Sequence, residues 1–286
     1  MTSIRVILQQ ATARLPGDEG AAEARLLLQH ALQKNSTWLH MHGRDKVDTD
    51  AADRYETLLA ERLSGAPIAY LTGMRGFWSM DLAVTSDVLI PRPETELLVE
   101  LALLRIPIAD TVDVADLGTG SGAIALALAS ERPHACVVAT DQSEAALAVA
   151  RGNAERLSLG NVCFAQGDWC NALEDSHYSV IASNPPYIAI GDAHLDRGDL
   201  RFEPAMALSS GNDGLDAIRS IRTNAPSHLV DGGWLLLEHG WDQGDAVRAL
   251  MVEAGFVDVA THRDLGDRDR VTLGCYRRIA GKHGAD

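Results

Sequence analysis

The sequence predicts an α/β protein with a seven-stranded, mostly parallel sheet, an antiparallel last strand and a small helical domain in front. Three observations predict it. Up to about residue 70, apolar residues recur at helical spacing and no convincing strand pattern occurs. Beyond residue 110 there are seven short apolar runs, most of them separated by helical stretches, which is the pattern of strands joined by crossover helices. The last two runs are joined without room for such a helix, so the final strand is expected to be antiparallel.

Each element has its own signal. Ile4, Ile7, Leu8 and Ala11 share one helical face, and so do Tyr55, Leu58, Leu59 and Leu63. Between them, the Ala- and Leu-rich stretch from Ala22 to Leu32 also reads as helix. Asp50 is expected to cap the helix of Tyr55 and Gly65 to end it. Residues 1–72 therefore form a helical domain. Residues 73–95 read as a hairpin and linker. Phe77 to Val84 is extended in character, and Pro91 and Pro93 punctuate the chain after it. Pro93 suits the first turn of a helix, and Glu94 and Glu96 complement that helix's positive end. Residues 96–280 make the α/β domain, with strands expected at 112–117, 136–140, 162–165, 180–182, 234–237, 257–260 and 271–273. Ser143 caps a helix whose apolar face is Leu147, Ala150, Ala154 and Leu157. Residues 188–213 are aperiodic and charged, and a loop that long in a compact domain is usually functional. Residues 281–286 read as a frayed tail.

Composition narrows the function classes. With 46% hydrophobic residues the chain can build a packed core. Its 40 acidic against 25 basic side chains give a net charge of -15, which argues against a protein whose main job is to hold nucleic acid. An acidic surface suits a basic partner, or simply solubility. The four cysteines have no C-x-x-C pair and no histidines at zinc-ligand spacing, so no metal site is expected. Cys136 and Cys163 lie in apolar runs and read as small buried residues in a reducing compartment. The N-terminal MTSIRVILQQ lacks a signal-peptide layout, and no apolar run reaches membrane-spanning length. The expectation is a cytoplasmic protein with no membrane contact.

A cofactor pocket is predicted at Asp116-Leu117-Gly118-Thr119-Gly120-Ser121-Gly122, which comes directly after a predicted strand and opens a helix. Glycines allow a tight turn and close approach to a ligand, and the strand-to-helix switch places a pocket at the strand's carboxyl end. Asp141 ends the next strand, about twenty residues on, where a carboxylate can accept from both ribose hydroxyls. Asp168 can accept from an adenine amine, and Trp169 can wall the ring. The glycine spacing differs from that of dinucleotide folds. Asp116 would repel a pyrophosphate but favour the sulfonium and amino groups of S-adenosylmethionine. The arrangement resembles the seven-stranded methyltransferases.

Asn184-Pro185-Pro186-Tyr187 comes after the fourth predicted strand, at the same sheet edge. Paired prolines stop the strand and stiffen the turn. An amide nitrogen is a poor nucleophile because its lone pair is delocalised. The Asn184 side-chain oxygen and the Pro185 carbonyl can each accept one N–H of such a group and aim its nitrogen. Tyr187 can stack on the planar acceptor, so rate would come from orientation and water exclusion. The motif resembles that of enzymes methylating planar nitrogens: adenine-N6 and cytosine-N4 in DNA, and glutamine N5 in proteins. By itself it does not choose among them.

The runs Ile90 to Glu96, Asp116 to Gly122, Asn184 to Tyr187, Arg201-Phe202-Glu203-Pro204 and Leu236 to Gly240 resemble bacterial release-factor glutamine methyltransferases of the PrmC/HemK type. The likeness extends over almost the whole chain, including Gly65 to Gly73. It implies N5-methylation of the glutamine in the Gly-Gly-Gln motif of class-I peptide-chain release factors. It also implies cofactor contacts at Gly118 through Gly122, Asp141, Trp169 and Asn184, and substrate contacts at Asn184 through Tyr187. Arg201 and Glu203 are expected to contact substrate backbone. Arg92 either lines the pocket or caps a helix, and His239 reads as packed. Two alternatives stand: a DNA adenine-N6 methyltransferase, which would need base flipping and a basic face, and a non-catalytic cofactor-binding partner of translation factors.

Overall fold

In a computed structural model of the chain, residues 2–195 and 198–278 are described, so the expected tail lies outside them. The chain divides into two compact units, Met1–Met74 with Arg197–Phe202, and Arg75–Asp196 with Glu203–Asp286.

The first unit holds five helices: α1 (Ile4–Arg14), α2 (Gly20–Leu32), α3 (Ser36–Met41), α4 (Thr49–Leu63) and α5 (Ile68–Thr72). Ile4, Leu27, Leu28, Tyr55 and Leu59 form its buried centre. Tyr55 keeps its hydroxyl satisfied there by donating to the Ala24 carbonyl at 3.1 Å. The cap of α4 differs from expectation. Asp48, in extended conformation, accepts from the Ala51 N–H, while Asp50 lies inside the first turn. A carboxylate in that turn still complements the helix dipole but cannot close its end. Helices α3 and α5 are too short to show periodicity, which is why the sequence did not announce them.

The second unit begins at Arg75, within the first of two hairpin strands, β1 (Met74–Phe77) and β2 (Met80–Ala83), joined through Trp78 at φ 55°. A 3-10 turn at Pro93–Thr95 leads into α6 (Glu96–Leu103). Then come β3 (Asp113–Leu117), α7 (Ala123–Glu131), β4 (Cys136–Asp141), α8 (Glu144–Leu157), β5 (Val162–Gln166) and β6 (Tyr178–Ser183). The last stretch comprises α9 (Ala205–Leu208), α10 (Asp216–Asn224), β7 (Leu229–Glu238), α11 (Gly244–Glu253), β8 (Val257–Arg263) and β9 (Asp269–Cys275). Seven of these strands form one sheet in the order β5-β4-β3-β6-β7-β9-β8. The final strand is antiparallel, inserted between β7 and β8. One apolar layer, with Leu98, Leu126 and Leu128, covers one face of the sheet, and a second, with Ile218, Ile221 and Met251, covers the other.

Two expectations are corrected. Cys163 is exposed because β5 is an edge strand, and Cys136, at the start of β4, is only half-buried, whereas Cys170 and Cys275 are buried. The segment 188–213 is not structureless: it contains a 3-10 turn at Gly198–Phe202, helix α9 and a bridge between Ile188 and Ser209. Such one-turn pieces leave no periodic signature. Among the described residues no helix is long and apolar enough to cross a membrane.

Candidate active site

Strand order locates the site. From β3 the chain moves outward through β4 and β5, then returns to the other side of β3 as β6. The loops leaving β3 and β6 therefore diverge, and a crevice opens at their carboxyl ends. Leu117 and Ser183 are register partners there, and the Ser183 hydroxyl donates to the Leu117 carbonyl at 2.7 Å. This bond ties the root of the Asn184 turn to the root of the glycine loop. The crevice is a cleft open to solvent and within the second unit.

The glycine loop is built from both sides. Gly118 and Gly122 have φ of 72° and 87°, where a side chain is strained. A Cβ on Gly118 would also come within 3.0 Å of the Trp169 ring. The Thr119 N–H donates to the Thr140 carbonyl at 2.8 Å, which anchors the loop to β4. Beneath it, Asp116 is fully buried and accepts from the Thr119 hydroxyl at 2.6 Å and the Ala125 N–H at 3.1 Å. Its other oxygen has no partner, and burial pushes its pKa up to about 7. Asp116 does not line the cleft. The expectation that it meets a cationic cofactor is corrected: it organises the loop from below.

Asp141 does line the cleft, accepting from the Gly120 N–H and the Ser143 N–H, each at 2.9 Å. A carboxylate has about four acceptor positions, so two remain for a ligand. Asp168 and Trp169 stand at the end of β5 and line the same cleft, as do Gly118, Thr119, Gly120 and Ser121. Gly122 lies just behind, with α7 beginning at the next residue.

On the opposite wall, Asn184 and Pro186 line the cleft, while Pro185 is buried and Tyr187 half-buried. The Asn184 Nδ2 donates to the Thr95 hydroxyl at 3.1 Å. The turn is held by Gln243, whose amide donates to the Tyr187 carbonyl at 3.0 Å. Burial pushes the Tyr187 hydroxyl well above its ordinary pKa. His239 is packed as expected, between the Gly240 carbonyl and the Thr272 hydroxyl, and burial lowers its pKa.

Arg201 and Glu203 are not brought together. Arg201 belongs to the first unit, where its guanidinium donates to the Ser64 carbonyl at 2.9 Å. Glu203 is buried in the second unit, paired with Arg92, and accepts from the Ile90 N–H at 3.1 Å. Neither lines the cleft. Arg92 does, which decides its open assignment. Sequence reasoning gave no role to Val88, Leu89, Met206 or Ala207, all cleft-lining, nor to Thr95. The signal was present in Thr95's place beside the Pro91–Pro93 pair, but a threonine in a turn has no chemistry legible without its partners.

A parallel sheet with a final antiparallel strand, a glycine loop and a switch-point cleft define the methyltransferase class. Residues 94–206 match the methyltransferase small domain, and residues 7–73 match the PrmC N-terminal domain. A release factor glutamine methyltransferase from Xylella fastidiosa is 53% identical, covering 96% of this chain and 98% of that one. Its counterpart from Escherichia coli is 45% identical, over 94% and 97%. A methyltransferase from Pyrococcus furiosus shares the fold, with a TM-score of 0.54 at 18% identity, covering 78% of this chain and all of that one. The chain belongs to the release factor glutamine methyltransferase family, and it is an S-adenosylmethionine-dependent methyltransferase.

Proposed function

We propose that the protein methylates the N5 amide nitrogen of the glutamine in the Gly-Gly-Gln motif of class-I peptide-chain release factors. The observation that carries this reading is the juxtaposition of Asn184 and the Asp141–Trp169 wall across one cleft, in a chain of this family. The cleft residues fit the cofactor. Asp141 has acceptor capacity for ribose hydroxyls, Asp168 for an adenine amine, and the Trp169 ring packs over Gly118 beside the space an adenine would take. When bound, S-adenosylmethionine supplies an electrophilic methyl group, and its transfer leaves S-adenosylhomocysteine.

The remaining chemistry belongs to the chain. With its Nδ2 committed to Thr95, Asn184 presents Oδ1 as the acceptor for one N–H of the substrate amide. The Pro185 carbonyl takes the other N–H. Both bonds hold the nitrogen in place and favour a geometry in which its lone pair faces the methyl carbon. As the nitrogen–carbon bond forms, a proton leaves the nitrogen for solvent, so no buried base is required. Tyr187 stacks on the amide plane, with its high pKa keeping it neutral. The helical unit recognises the body of the factor, and the protein works in the cytoplasm. The acidic balance of -15 supports a protein substrate over duplex DNA.

The test is label transfer from radioactive S-adenosylmethionine. Unmodified release factor should take label, whereas the factor with alanine in place of that glutamine, and unmethylated duplex DNA, should not. Label on DNA alone would move the acceptor to adenine. Cofactor binding without any turnover would favour the non-catalytic partner.

A further inference from the structure

Behind the Asn184 turn lies a buried acid that this mechanism leaves unused. Glu238 ends β7, is 1% exposed, and has one carboxylate oxygen without a hydrogen-bond partner. Leaving a carboxyl so poorly satisfied in the interior is costly unless its charge has a use. The hydroxyls of Thr95 and Tyr187 lie close to its carboxyl. Thr95, itself 4% exposed, also receives the Asn184 Nδ2.

The donor count along this chain of groups has one solution when Glu238 is ionised. A carboxylate only accepts, so the single Thr95 hydroxyl proton is directed to it. The Thr95 oxygen then has only lone pairs for Asn184, and the end of the Asn184 amide facing it must be the NH2. Oδ1 is thereby turned to the other side, where a substrate N–H can meet it. If Glu238 is protonated it can donate to Thr95 instead. The Thr95 proton is then free to face the Asn184 oxygen, and the amide can reverse. A reversed amide offers a donor to a substrate donor.

We propose that Glu238 is a positioning residue for methyl transfer, acting through Thr95 to fix the orientation of the Asn184 amide. This rests on the reading of Asn184 as the acceptor-holding residue. The groups facing Glu238 are Thr95, Tyr187, Arg270 on β9, which favours its ionised form, and Glu94, which opposes it. Burial dominates and raises its pKa to about 7. The relay is therefore complete above that pH and lost below it.

The experiment measures single-turnover methylation of release factor at saturating cofactor and substrate from about pH 6 to about pH 8. It uses the full chain as wild type, Asn184→Ala, Thr95→Val, Thr95→Ser and Glu238→Gln, each checked for cofactor binding and melting temperature. The wild-type rate should rise as pH rises through about 7. Thr95→Val should lose about 100-fold in rate, the scale of a misplaced reacting group, with cofactor still bound. Thr95→Ser, which keeps the hydroxyl, should recover it. Glu238→Gln should be slower and lack the pH-dependent rise. A rise that persists in Glu238→Gln would belong to another group, Asp116 being the nearest in pKa, and would overturn the proposal. So would a Thr95→Val enzyme of wild-type rate while Asn184→Ala is inactive. An active Asn184→Ala would instead overturn the reading of the site on which the proposal rests.

Discussion

Two carboxyls, Asp116 and Glu238, are fully enclosed near the cleft, and each has an oxygen without a partner. Burial raises both pKa values to about 7. Linkage gives the sign of the stability effect. Between the ordinary carboxylate range and pH 7 the folded protein holds protons that the unfolded chain has released. Stability from these groups is thus present at low pH and falls as pH rises across that window. The difference in denaturation midpoint between Glu238→Gln and wild type, both without cofactor, should therefore shift in favour of the variant from about pH 5 to about pH 7.5. A pH-independent difference would mean that Glu238 titrates normally in the fold. The sequence could place Glu238 at the end of a strand at the active edge, but not its enclosure, because burial depends on residues far along the chain. The same holds for Glu203: the sequence suggested a substrate contact, whereas the side chain is buried and paired with Arg92, more than a hundred positions earlier.

At the scale of elements, α8 joins parts that are distant in sequence. Asn153, fully buried on this helix, donates to the Ala83 carbonyl at 3.0 Å and the Ser121 carbonyl at 2.9 Å. Its oxygen accepts from the Ala83 N–H at 2.7 Å. One side chain thus fastens the hairpin strand β2 and the glycine loop to the same helix. Asn153→Ala should destabilise the protein by about 2–4 kcal/mol, since it strands buried backbone groups. Chemical denaturation measures this, and a loss within error of zero would mean that water replaces the amide. In the sequence this asparagine sits between Ala150 and Ala154 on the apolar side of a helix, where it reads only as an exception. The helix itself was legible, from the Ser143 cap to the buried Leu147, Ala150 and Ala154, because cap and periodicity are local signals. Asp48 displaced Asp50 as the α4 cap because two acids two positions apart differ only in backbone conformation, which composition does not encode.

For the whole molecule, the strand-and-helix alternation and the missing last crossover were enough to read the sheet, and the glycine loop with the Asn184 turn marked one edge of it as the site. The strand order that makes those loops share one crevice is a property of the assembled sheet. The helical unit, which includes the Gly198–Phe202 turn, is the part whose role the sheet does not explain. If it grips the body of the release factor, deleting residues 1–72 should cut methylation of the intact factor more than that of a short Gly-Gly-Gln peptide. Initial rates on the two substrates check this, and an equal loss would assign the unit a purely structural role.

The most direct measurement is mass-spectrometric fragmentation of release factor after incubation with S-adenosylmethionine and either wild-type protein or Asn184→Ala. The account predicts one added methyl group on the side-chain nitrogen of the Gly-Gly-Gln glutamine, formed by wild type and reduced at least about 100-fold with the variant. A methyl group on any other atom, or the same yield with both proteins, would contradict it.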